Sequence, residues 1–188
     1  MSRITFYDTV DEITAELTKA MKSIKSEEVE DLMREINSAQ QVFFVGVGRV
    51  MLALQCVAKR LAHLGIDAHC VGEITEPAIT EKDLLIVGSG SGTTLFPVAI
   101  AKKAKEQGAK VVHVGSNPEG EMKNIADFMV RIPVRTKLYL EDEIDSTQPM
   151  TSLFEQGVLL LGDAVAKMII EEEQLDMKKL WRYHANLE

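Results

Sequence analysis

The sequence predicts an α/β fold, a doubly wound five-stranded parallel sheet with helices on both faces, from three observations. Short apolar runs recur along the 188 residues, "QVFFV", "DLLIV", "KVVHV" and "FMVRI" among them, without the polar alternation of a half-exposed strand. Such runs are what strands buried on both faces require. Stretches of helical period separate most of them, and glycine-rich turns, "GVGR" and "GSGSGTT", stand where a strand passes into a helix. A composition of 46% hydrophobic and 27% charged residues is that of a globular chain, and the length suits one domain with an ample core.

Two amphipathic helices come first, Thr9 to Met21 and Ser26 to Asn37, the second with Val29, Leu32, Met33 and Ile36 on one face behind the N-cap candidate Ser26. The first strand, Gln41 to Val45, runs through "GVGR" into a helix carrying Leu54, Val57, Ala58, Leu61 and Leu64, which stops at Gly65. "AHCV" reads as a short strand, and "DLLIV" leads through the hydroxyl-rich turn into a helix ending at Gly108. "KVVHV" runs into "GSNPEG", followed by a short helix near Met122 to Ala126 and the strand "FMVRI". After Pro133 comes a polar stretch, "VRTKLYLEDEIDSTQPM", too long for a routine connection and of the kind that covers a site. A long helix from about Thr151 to Glu173 follows, then a short helix and tail containing Trp181, which suits docking on its own subunit and an oligomer contact equally. The expected organisation is one domain: N-terminal helices over 1–38, an α/β core over 39–173 and a tail over 174–188.

The net charge of -8, with no basic cluster interleaved with aromatics, argues against nucleic acid as a partner. The N-terminus lacks an apolar targeting segment, and the most apolar stretch is broken by Asp163 and Lys167, so no membrane span is expected and a cytoplasmic protein is. Cys56 and Cys70 lie far from any CxxC spacing and read as buried reduced thiols. No His/Cys/Asp/Glu spacing suggests a metal. His63, His69 and His113 lie in apolar helix and strand patterns and read as packing residues.

Two glycine turns invite a nucleotide reading, and both fail it. A G-x-G-x-x-G motif begun at Gly46 and Gly48 would need its third glycine at Met51, and one begun at Gly88 and Gly90 would need it at Thr93. The second turn also lacks the lysine of a nucleoside-triphosphate loop. What remains is Ser89, Ser91, Thr93 and Thr94 at the carboxyl end of a strand and the start of a helix, where free N–H groups and hydroxyls together attract an anion. One hydroxyl would suffice to cap the helix. Four favour anion binding, and a monophosphate fits best.

These residues carry a resemblance. The order "VGSGSGTT", "AKKAKEQGAKVV", "SNPEG" resembles the sugar isomerase (SIS) domain family, a phosphosugar-binding fold. The likeness extends through "GVGR", "AKRLAHLG", "VGE", "PAI", "QPM", "LFEQ" and "HANLE", and is similar in combination to the 6-phospho-3-hexuloisomerase branch of that family. It implies a reversible shift of a ketohexose phosphate's carbonyl between C3 and C2, without a cofactor, in a homotetramer. It further implies that Ser89, Ser91 and Thr94, with Thr93 in the same loop, hold the phosphate, that Gly90 and Gly92 allow close approach, and that Gly48 and Arg49 face the sugar. Ser116 and Asn117 end the next strand at the same rim; they suit sugar hydroxyls and, equally, an Asn-Pro turn.

The chemistry implied needs a base beside the carbonyl and groups that stabilise an enediolate. Glu155 of "LFEQ" is the candidate base, its alternative being a carboxylate that suits the helix dipole. His184 of "HANLE" either completes a site or anchors the tail. The chain departs from the family pattern at Val50 and Met51, where serine and glycine are common, and at Ile74, Glu76, Thr151 and Tyr183. Alternatives to the hexulose reading are an isomerase for another sugar phosphate and a non-catalytic phosphosugar-binding module.

Overall fold

The computed structural model describes residues 5–187. Met1 to Ile4 of the expected N-terminal unit and Glu188 of the terminal motif lie outside the described residues. Helix α1, Phe6–Lys22, opens on a capping box: the Thr5 hydroxyl accepts the Asp8 N–H at 3.2 Å while the Asp8 carboxylate accepts the Thr5 N–H at 3.1 Å. Helix α2, Ser26–Ser38, is not capped by Ser26 as the sequence suggests. Lys25 holds the extended N-cap position, and Ser26, already helical, donates to Glu30 at 3.1 Å.

Five strands follow: β1 Val42–Val45, β2 Ala68–Cys70, β3 Leu84–Gly88, β4 Lys110–Gly115 and β5 Phe128–Arg131. All pair in parallel in the order β2-β1-β3-β4-β5. Side chains alternate across the sheet. Val42, Phe44 and Ile86 enter one core with α1, α2, α3 (Gly48–Ala62) and α5 (Ser152–Glu172). Phe43, Val45 and Leu85 enter the other with α4 (Leu95–Glu106). Both faces are therefore covered, and apolar runs without alternation are the consequence.

Helices α3 and α5 approach closely because Gly162 faces Val57. A Cβ there would lie 2.2 Å from the Val57 side chain. The short helix expected near Met122 is a 3-10 turn, Glu121–Asn124, that buries Met122 under the sheet. Cys70 is buried, and burial together with Glu73 pushes its thiol up to about 11. Cys56, expected to be buried, is exposed. It shares the solvent stripe of α3 with Leu52, Lys59 and Arg60, one turn away on either side.

The tail docks on its own subunit through a 3-10 turn, Lys179–Tyr183. The Tyr183 ring sits over Gly65, where even a Cβ would lie 2.7 Å from it, and His184 stacks on His63 with ring centroids 5.1 Å apart. Trp181 stays 71% exposed, so docking does not use up its apolar surface. No helix among the described residues is long and apolar enough to cross a membrane.

Candidate active site

Strand order decides where the site forms. The chain runs outward from β1 to β2 in one direction and from β3 to β5 in the other, and α3 and α4 leave on opposite faces. The loops after β1 and β3 diverge, and the crevice between them is where open α/β sheets receive ligands. The first loop contributes Val47, Gly48, Arg49 and Val50 to its wall, and the second Gly88, Ser89, Gly90, Ser91 and Thr94. Thr136 and Lys137 of the polar stretch, with Thr151, Phe154 and Glu155 at the start of α5, complete it.

The hydroxyls of the second loop do not cap α4. Thr94 is the N-cap residue, but no side chain bonds to the first turn. Its hydroxyl shares a 2.8 Å hydrogen bond with Ser89 Oγ, which accepts the Gly92 N–H at 3.1 Å. Thr93 Oγ1 donates to Ser91 Oγ at 3.0 Å. The loop is thus a self-bonded cradle in front of a helix start whose own donors have no side-chain cap, an arrangement suited to an anion. Gly92 has φ +65, a conformation that favours glycine, and a Cβ there would press on His113 at 3.2 Å.

Support comes from β4 and the turn after it. His113, 2% exposed, places Nε2 2.8 Å from the Ser89 carbonyl oxygen. Burial pushes its imidazole below the ordinary range although that hydrogen bond acts the other way, so a neutral ring donates its Nε2 proton. The Gly90 carbonyl accepts the N–H groups of Ser116 and Asn117, and Asn117 Nδ2 donates to the Ser91 carbonyl at 3.1 Å.

Glu155 lies one turn into α5 and is 8% exposed. One carboxylate oxygen accepts from Thr151 Oγ1 at 2.9 Å, and the other is ion-paired with Arg49 Nε across the cleft. The structure therefore brings the arginine of "GVGR" and the glutamate of "LFEQ" together from positions 106 residues apart. A carboxylate facing the cleft beside a cation can take a proton from a bound molecule while the cation meets negative charge that develops next to it.

Other expected residues fall elsewhere. Ser116 is fully buried behind the cradle, its hydroxyl directed to the Val134 carbonyl at 2.8 Å and to Glu143 at 3.0 Å. Asn117 serves the turn as described, so neither lines the cleft. Thr93 braces Ser91 rather than forming the wall. His184 is held at the far end of α3 from Arg49, roughly 20 Å away at 1.5 Å per helical residue. It does not enter the cleft of its own subunit. There it lines a separate, largely apolar pocket with His63, Leu64, Ile170 and Trp181.

Two wall residues have no forerunner in the sequence reading, Thr136 and Lys137. The available signal was a lysine within a site-covering loop of an acidic chain, which gave no indication of which residue would join the wall. Among the described residues, no group of three or more His, Cys, Asp or Glu side chains converges to hold a metal ion.

The SIS domain family profile matches residues 35–160. The chain is 41% identical over 179 residues to the 3-hexulose-6-phosphate isomerase of Bacillus subtilis (strain 168), covering 95% of this chain and 97% of that protein. It is 38% identical over 173 residues to the enzyme of the same name from Mycobacterium gastri, covering 92% and 86%. Among solved structures, a Methanococcus jannaschii protein with an inferred molecular function of 3-hexulose-6-phosphate isomerase superposes with a TM-score of 0.81 at 30% identity, over 96% of this chain and 99% of that one.

Proposed function

The chain belongs to the SIS domain family, and from that membership we propose that it is a sugar-phosphate isomerase interconverting arabino-hex-3-ulose 6-phosphate and fructose 6-phosphate through an enediolate. The observation that supports this best is the placement of Glu155, a buried carboxylate turned into the cleft between Arg49 and Thr151 and opposite the hydroxyl cradle. Ser89, Ser91 and Thr94 hold the phosphate in this reading, Gly90 and Gly92 let the backbone close on it, and Gly48 and Arg49 face the sugar.

The reaction divides into formation and collapse of the enediolate. The Glu155 carboxylate takes the proton from C2 of the 3-ketose, and the bond's electron pair forms the C2–C3 double bond while the C3 carbonyl oxygen gains charge. Arg49 stands beside that developing charge. Return of the proton to C3, while the C2 hydroxyl passes its own proton to the oxygen on C3, leaves the carbonyl at C2 and a hydroxyl at C3. Each step exchanges only protons, so the residues of the cleft suffice.

Homotetrameric assembly and a cytoplasmic location belong to the same proposal. Because His184 is held away from its own cleft, it acts in this scheme only on a sugar in a neighbouring copy. A coupled assay that detects fructose 6-phosphate formed from the 3-hexulose phosphate tests the function. No product at enzyme concentrations where a related isomerase turns over would overturn it. A second reading, another sugar phosphate in the same cleft, draws on Val50. This residue lines the wall where the family commonly has serine, and its side chain would lie 2.8 Å from a Cβ on Gly88. The same assay run with other ketose and aldose phosphates separates the two.

A further inference from the structure

The hydroxyl cradle supplies hydrogen-bond donors but no full charge, whereas a phosphate monoester carries about -1.5 to -2 at neutral pH. The start of α4 contributes roughly half a positive charge. Two cations line the cleft, Arg49 and Lys137. Arg49 is ion-paired with Glu155, so its charge is already balanced. Lys137 is exposed and makes no hydrogen bond or ion pair with any described residue. The cleft thus keeps one net positive charge in a chain whose net charge is -8.

The backbone that carries Lys137 is anchored at the cradle. The preceding residue, Thr136, packs on Gly90, where a Cβ would lie 3.2 Å from its methyl group. Thr136 is held there by Glu143, which accepts its N–H at 3.0 Å and its hydroxyl at 2.9 Å, as well as the Leu140 N–H at 3.0 Å and the Ser116 hydroxyl at 3.0 Å. Ser116 and its neighbour bind the Gly90 carbonyl by their N–H groups. Glu143 therefore ties the backbone that carries Lys137 to the backbone that forms the cradle.

We propose that Lys137 is the counter-charge for the substrate's phosphate, and that Glu143 is the positioning residue that holds it over the Ser89–Thr94 cradle. The inference rests on the sugar-phosphate reading above. It assigns Arg49 to the reacting end of the sugar and Lys137 to the phosphate end.

The test is calorimetric titration of wild type, Lys137→Met and Lys137→Arg with fructose 6-phosphate and with inorganic phosphate, together with KM and kcat. Lys137→Met should weaken both phosphates at least tenfold and act mainly on KM, and Lys137→Arg should restore most of the loss. Glu143→Ala should weaken phosphate binding as well. Combined with Lys137→Met it should add little, because a residue acting through Lys137 has nothing left to position. Exposed Lys137 can be replaced without risk to folding, so the inference stands or falls on that variant if Glu143→Ala does not fold. Unchanged phosphate affinity in Lys137→Met, or a loss confined to kcat, overturns the inference while leaving the isomerase reading intact. Wild type that binds neither phosphate overturns both.

Discussion

Two regions of the cleft wall are built around buried or half-buried carboxylates, and they are finished differently. On the α5 side, Glu155 accepts from Thr151 and Arg49 only, among the described residues. On the side of the polar stretch, Glu143 accepts four hydrogen bonds, and Glu16 of α1 accepts four more from Ser146, Thr147 and Gln148, clamping the later part of the same stretch. An ionised carboxylate offers about four acceptor sites. Glu143 and Glu16 are filled by the protein and act as staples, whereas Glu155 keeps acceptor capacity turned toward the cleft. A carboxylate left incomplete in a buried position is where proton-transfer chemistry has room to occur.

The largest expected effect tests that contrast at its centre. Glu155→Gln keeps the shape and an acceptor for Thr151 but removes the proton acceptor, so turnover should fall roughly 10²-fold or more while fructose 6-phosphate affinity stays near that of wild type. Equal turnover would break the comparison by making Glu155 one more staple.

Next in size is the cradle. Ser91→Asp places a negative charge where the phosphate is proposed to sit. Affinity for fructose 6-phosphate should weaken at least tenfold, about 1.4 kcal/mol or more. Calorimetry showing no change would move the anion elsewhere along the wall.

Deleting residues 181 to 188 asks whether the open side of the cleft is closed by a second copy. Loss of both oligomer size by light scattering and severalfold in turnover would join the exposed Trp181 and His184 to a neighbour's site. A fully active chain of unchanged size would confine the tail to its contact with Gly65 and His63.

The smallest effect belongs to a staple. Partial burial works against the Glu16 carboxylate, but the hydrogen bonds from Ser146, Thr147 and Gln148 outweigh it and hold the group at about 2 rather than the ordinary 4.5. A depressed carboxylate stabilises the fold above its unfolded pKa and loses that contribution as pH falls toward the folded one. Glu16→Gln should therefore lower stability at neutral pH by on the order of 1 kcal/mol, a modest figure because the group is partly exposed. Thermal melts should show the gap narrowing between pH 4.5 and 2. A gap independent of pH would mean that Glu16 contributes by packing instead of by charge.

The contrast between these carboxylates was not legible along the chain. Glu16 and Glu143 look like any solvated acid in an acidic protein, and their partners for hydrogen bonding are set by a loop that has only one isolated bridge, Val134 to Ile144, as regular structure. Ser116 and Asn117 show the same blindness from the other direction. They end a strand at the rim, as expected, yet point behind the cradle, because the two N–H groups are drawn to the Gly90 carbonyl.

By itself the sequence determined the elements and their class. Buried strands must be apolar on both faces, helices over a sheet must be apolar on one, and a chain that turns from strand to helix beside a ligand needs glycines and hydroxyls; these are local requirements and each leaves a local trace. It also determined the hydroxyl cradle, whose members are neighbours in the chain. Only the tertiary structure decided the strand order that puts the switch between β1 and β3, the pairing of Arg49 with Glu155, the place of Lys137 in the cleft wall and the separation of His184 from its own cleft. The physical reason is that an anion cradle is made of adjacent backbone, whereas a charge pair across a cleft depends on where two distant segments are set down by the packing of everything between them.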